Sequence, residues 1–126
     1  MSVPVDLDDL AARLAEHRFA YLVTVGDDRR AHVVAATPVL EGGHLVIGGL
    51  GRHSTANAAA NAGVTLVWPP VTDGGYSLIV DGTAAVTGEA TVAVVPAKAI
   101  LHRPAPGPEG SRCGSDCLPI GDPPAG

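Results

Sequence analysis

From residue 19 to residue 103 the sequence is a succession of short runs rich in Val, Ile, Thr and Leu. Each run is closed within a few residues by a glycine or proline turn. A run of this kind must pair with a neighbour, and a short chain with many of them must close its sheet on itself to hide the edges. A small barrel is the economical solution. The apolar residues that supply the core are mainly Ala and Val, with 46% of the chain hydrophobic and 3% aromatic, and small β-branched side chains suit closely spaced strands. At 126 residues there is room for one domain with one core, which 17% charged residues leave free to form without metal or disulfide support.

Residues 19–25 are the first expected strand, closed by Gly26-Asp27-Asp28. The second runs over 31–40, with Pro38 marking an edge or bulge near its end. Glu41-Gly42-Gly43 is a hairpin turn and residues 44–48 the third strand. The glycines at 48, 49 and 51 then lead to Ser54, a hydroxyl N-cap for an Ala-rich helix over 55–62 that Gly63 ends. Residues 64–68 make a fourth strand before Pro69-Pro70. Over 76–87, Asp81-Gly82 is either a hairpin turn or a bulge within one long strand. Runs 91–95 and 97–103 complete the set. Ahead of all these, Leu7, Leu10, Ala11 and Leu14 share one face of a short helix, with Asp6, Asp8 and Asp9 at its start and His17 and Arg18 at its end, as the helix dipole favours. The expected organisation is a mainly β domain with short helices over residues 1–103 and a Pro/Gly-rich tail over 104–126.

Charge narrows the partners. The formal net charge is −5 and the Lys and Arg residues are scattered, so no basic stripe exists to neutralise a phosphate backbone and nucleic acid is not an expected partner. An acidic N-terminus and the lack of any membrane-length apolar run predict no signal peptide, no membrane association and a cytoplasmic protein. Cys113 and Cys117 sit close together in the tail, where a disulfide would close a tiny loop and remove little chain entropy. They read as reduced thiols, with redox pairing as the sharper alternative. The histidines and these two thiols form no metal-ligand spacing, so no metal is expected.

In residues 28–51, His32-Val33-Val34, the turn Glu41-Gly42-Gly43 and the strand Leu45-Val46-Ile47 follow one another without gaps in an order that resembles the pyridoxamine 5′-phosphate oxidase superfamily. Asn57 matches that pattern's helix asparagine, Val64-Thr65-Leu66 the strand after it, and Asp81-Gly82-Thr83-Ala84 is similar to its Gly-Thr-Ala segment. The resemblance covers residues 6–95 and implies an FMN-binding split β-barrel. It implies a homodimer with two cofactor sites in the interface, FMN as the usual ligand, and deazaflavin or haem in some relatives. The phosphate site is implied where the third strand runs into the helix.

The residues there suit an anion. Gly49 lets backbone approach a ligand, Arg52 offers a bidentate contact, and His53, Ser54 and Asn57 surround a helix start with unpaired N–H groups. Against that pattern, Ser54 stands where relatives carry lysine and His53 where they often carry arginine, which lowers the site's charge and predicts weaker FMN phosphate binding. Trp68, the only tryptophan, packs on an isoalloxazine ring, on the opposite subunit or in the core. Lys98 and His102 share one face of the last strand, to meet an anion or simply water. His32 and His44 flank a hairpin as surface residues.

The expected function is a flavin (FMN) or deazaflavin-dependent oxidoreductase acting on a small-molecule substrate. The alternative is a non-catalytic split-barrel carrier of a cofactor, haem or metabolite. A third reading is a structural homodimer whose site has decayed. A true pyridoxamine phosphate oxidase is disfavoured by the Pro/Gly-rich C-terminus. No Ser-His-Asp order or paired carboxylates argue for hydrolysis.

Overall fold

A computed structural model describes residues 1–105 of the chain; Cys113, Cys117 and nearly all of the expected tail lie outside the described residues. Eight strands form one antiparallel sheet: β1 (Ser2–Val5), β2 (Ala20–Val25), β3 (Ala31–Ala36), β4 (Val39–Glu41), β5 (His44–Ile47), β6 (Gly63–Trp68), β7 (Ser77–Gly88) and β8 (Thr91–His102). A 3-10 turn, Leu7–Asp9, runs into the short helix α1 (Leu10–Leu14), and helix α2 (Arg52–Ala60) connects β5 to β6. Mainly β with two short helices is the class the sequence pattern called for.

The sheet runs β3-β2-β6-β7-β8-β5-β4, with β1 pairing alongside β8. Its two ends, β3 and β4, are consecutive in the chain and joined only by Thr37 and Pro38. Flat, the six spacings between seven strands would separate those ends by ~29 Å. Three virtual bonds span at most ~11 Å. The sheet must therefore curl until its ends meet, and a barrel follows from connectivity alone. Proline breaks the expected 31–40 strand here, because it has no N–H to donate to a ladder. The halves then pair with different neighbours, β3 with β2 and β4 with β5.

The long ribbon β7–β8 resolves the Asp81-Gly82 alternative as a bulge within one strand. Asp81 pairs with Lys98 and Gly82 with Pro96, so Ala97 has no opposite residue on β7. One extra residue reverses the side-chain alternation. Val92 and Val94 face the core before it and Ala99 and Leu101 after it. The stretch expected as two runs, 91–95 and 97–103, is thus one bent strand, Thr91–His102. Its outer edge pairs with β5 over residues 92–94 and with β1 over 99–102. Gly82 is forced by this packing: a Cβ there would lie 2.5 Å from the Val95 carbonyl oxygen and 2.6 Å from Val94 Cγ1.

Inward residues of five strands fill the barrel, among them Leu22, Leu45, Ile47, Leu66, Leu78, Val80, Val92 and Val94, closed by Leu10 from α1 and Ala58 from α2. Of the expected N-terminal helix face, Leu10 is buried and Leu14 packs on the core, while Leu7 and Ala11 are exposed. No helix among the described residues is long and apolar enough to cross a membrane.

Candidate functional site

The turn between β5 and α2 is pinned at one residue and open around it. Leu50 is buried in the core and its N–H donates to the Ala90 carbonyl (2.9 Å). Gly48, Gly49 and Gly51 flank it, Gly49 at φ 70°, and a Cβ built on any of the three would meet nothing within 4 Å among the described residues. Backbone here faces open space.

The helix begins three residues earlier than its hydroxyl suggested. Gly51, in an extended conformation, is the N-cap, and no side chain caps the helix start. Ser54 lies inside the first turn at 1% exposure. Its side chain is drawn to the core, which corrects its assignment as a cap. The C-terminus is corrected too: Asn61, extended, ends the helix rather than Gly63. Thr55 donates its N–H to the Gly51 carbonyl (3.2 Å) and its hydroxyl to the carbonyls of Gly51 and Arg52 (3.3 and 3.1 Å). The amides of the first helical residues, Arg52 to Ser54, precede the intrahelical ladder and are left for an external acceptor. Arg52 and His53 are exposed beside them. An uncapped helix start behind three unobstructed glycines, with one guanidinium at its first residue, fits a phosphate group.

One stripe of α2 fixes this start against the β2–β3 hairpin. His53, Asn57 and Asn61 recur every fourth residue and so share a face. The His53 ring stacks on His32 of β3, centroids 4.1 Å apart and planes 16° apart. Asn57 Nδ2 donates to the buried Thr24 hydroxyl (3.2 Å), and Thr24 is the residue opposite His32 in the ladder. Asn61 Nδ2 donates to the Val25 carbonyl (2.8 Å) and to Asp27 Oδ1 (3.3 Å). Asn57 is thereby a tie between helix and sheet, and His32, expected as an isolated surface residue, joins the site.

The other residues singled out in the sequence lie elsewhere on the chain. Trp68 is 3% exposed within the core, paired with Leu78 at the far end of β6, ~17 Å along the strand from Gly63. Lys98 is exposed opposite Asp81, whose carboxylate accepts from the Thr65 hydroxyl (2.6 Å). His102 lies opposite Ser2 and Ser77, its Nδ1 3.0 Å from Ser2 Oγ. Gly49, Arg52, His53 and Asn57 are therefore brought together, and Trp68, Lys98 and His102 are not part of that cluster in a single chain.

A cavity of about 180 Å³ occupies the Trp68 end, between α1 and the loop before β7, lined by Arg13, His17, Thr72, Tyr76 and Leu101 among others. Its charged and imidazole groups nearest α1 are already partnered. His17 places one ring nitrogen 2.9 Å from the Arg13 carbonyl and the other 3.2 Å from the Tyr76 carbonyl, and Arg13 pairs with Glu16 at 3.2 Å. The Arg103 guanidinium lies 4.6 Å from the Tyr76 ring centroid. With the His17 ring and the Arg13–Glu16 pair engaged within the protein, this hollow is a weaker candidate than the turn at Gly48, where the amides of the helix start precede the ladder.

Comparison with solved structures places this architecture. A Listeria innocua protein described as a pyridoxamine 5′-phosphate oxidase superposes with TM-score 0.63 at 17% identity, over 75% of this chain and 96% of its own. The FAD-binding protein of Mycobacterium smegmatis gives 0.62 at 17% identity, over 82% and 100%. An F420 reductase (0.53, 18%, 68% and 90%) and the haem storage protein HutZ of Vibrio cholerae (0.56, 14%, 74% and 91%) share the architecture. The fold is the split barrel of the pyridoxamine 5′-phosphate oxidase-like and flavin-binding proteins. No family model matches the chain. Two uncharacterized proteins, from Mycobacterium bovis and Mycobacterium tuberculosis, are each 42% identical over 129 residues, covering 90% of this chain and 90% of theirs. The chain belongs to the family of these two mycobacterial proteins.

Proposed function

We propose that the protein binds a flavin or deazaflavin as an oxidoreductase, with the cofactor phosphate at the turn from Gly48 to Ser54 and the ring between two copies of the chain. The uncapped start of α2 behind glycines that face open space carries this reading. The names of fold neighbours, an FAD-binding protein and an F420 reductase, support the cofactor class. In this arrangement the amides of Arg52 and His53 and the Arg52 guanidinium donate to phosphate oxygens, and Gly48, Gly49 and Gly51 admit the ligand to the backbone. A bound cofactor of this class supplies hydride transfer at its ring, while the chain's residues bind and orient it.

An apolar row on the outer sheet face favours a second copy. Pro4, Ile100, Ile79, Val67, Tyr21 and Ala35 are successive cross-strand partners, all on the side away from the core. An antiparallel sheet that faces water on that side normally alternates to polar residues. Sedimentation of the purified protein at twice the monomer mass is the expected result.

The cofactor is tested by titrating the purified protein with FMN, FAD and F420 and following ligand fluorescence. Saturable quenching with one of them is expected; unchanged fluorescence with all three overturns the proposal. A second reading, a carrier without turnover, draws on Ser54, which stands buried where the resembled pattern has a lysine and leaves Arg52 as the turn's one Lys or Arg side chain. HutZ, a haem storage protein by name, shows that the architecture serves storage in a fold neighbour. Mass spectrometry of the ligand released from fresh protein separates the two: a reducible flavin supports the enzyme, haem or a non-redox metabolite the carrier.

A further inference from the structure

We infer that His32 is a positioning residue of this site: its ring holds His53, and with it the phosphate-facing edge of the α2 start, in one orientation. The inference rests on the proposed cofactor site but on a different observation, the parallel stack of the two imidazoles at 4.1 Å.

His53 is the second residue of α2 and exposed, so left alone its side chain has several rotamers over open solvent. Stacking uses one face of the ring. Its nitrogen-bearing edge and opposite face stay available next to Arg52. His32 is itself fixed, because it lies within the β2–β3 ladder opposite Thr24. Thr24 is buried and hydrogen-bonded to Asn57, one turn along α2 from His53. The stack is thus the first of three contacts along one helix stripe, and the other two, at Asn57 and Asn61, hold helix and hairpin in register without it. Removing the His32 ring should free His53 without releasing the helix. The partner of His53 is another flat ring rather than a carboxylate, which steadies it without neutralising the anion site.

The test compares His32→Ala with His32→Phe in the full chain, with two readouts. In the free protein, the His53 ring-proton resonances report the stack through its ring current. They are expected to move toward solvent-exposed positions in His32→Ala and to keep their shift in His32→Phe. In titrations, His32→Ala is expected to weaken FMN about tenfold and riboflavin, which lacks the phosphate, less than twofold, and His32→Phe to restore FMN to within about threefold. Unchanged His53 resonances in His32→Ala overturn the inference. So does a His32→Phe variant as weak as His32→Ala, since that outcome makes a His32 nitrogen a direct ligand contact. If the wild-type protein binds no FMN, FAD or F420, the cofactor reading fails alone, and the His53 resonances decide whether His32 orients His53.

Discussion

Two glycine regions of the barrel are built to opposite ends. At Gly82 the backbone of β7 presses against β8 so closely that a methyl group would overlap the Val95 carbonyl and the Val94 side chain. At Gly48, Gly49 and Gly51 a methyl group would touch nothing among the described residues. The first region lacks a side chain because none fits; in the second, Gly49 answers to its positive φ, while Gly48 and Gly51 would fit a side chain and still lack one. Absence without a packing reason is what a surface kept clear for a ligand looks like, and the contrast separates the part of the chain that makes the barrel from the part that uses it.

Substitutions probe both sides of that contrast. Gly82→Ala should be the most damaging, ~3 kcal/mol of overpacking against backbone that cannot yield. In a domain this size that lowers the melting temperature by ~10 °C or more, read by circular dichroism. A neutral Gly82→Ala would mean the ribbon is looser than its register implies. Asn57→Ala strands the buried Thr24 hydroxyl and should cost ~1–2 kcal/mol in urea denaturation, with cofactor affinity falling as the helix loses its tie. Arg52→Ala should leave stability within ~0.5 kcal/mol, as exposed substitutions do, yet weaken FMN about tenfold, which makes binding and folding separable at one residue. The smallest effect is expected for Gly48→Ala: stability unchanged within ~0.5 kcal/mol, and a few-fold loss of ligand affinity by calorimetry because the added methyl meets the ligand alone. Should Gly48→Ala destabilise the free protein instead, the open turn has a structural role and the contrast collapses.

How much of this was legible in the sequence depended on the range of the interaction. Alternation in Val64-Thr65-Leu66 and Leu45-Val46-Ile47 reports local backbone geometry, and those strands stand where the pattern put them. β1 did not show, because Ser2-Val3-Pro4-Val5 is too short to reveal a period and its partner, residues 99–102, is at the other end of the domain. Trp68 could have been placed: it shares the odd-even phase of Val64 and Leu66, so it must face the core with them. Ser54 misled because a hydroxyl is the commoner cap, yet Gly51 adopts the extended capping geometry and Ser54 is needed inside. The turn's anion-ready chemistry was readable from glycines and an arginine in local order. The His32–His53 stack was not, since it joins two elements whose separation in space no local spacing encodes.

The last strand pairs along its edges with the first, the fifth and the seventh, so the barrel cannot close until β8 arrives. During synthesis Ser2–Val5 emerges from the ribosome nearly a hundred residues ahead of β8, its strand partner among the described residues. Such long-range closure is slow, on the order of milliseconds to seconds once the chain is free. Until then the apolar edge of β7 that β8 will cover is exposed, so chaperone capture of nascent chains should be most frequent just before β8 leaves the exit tunnel.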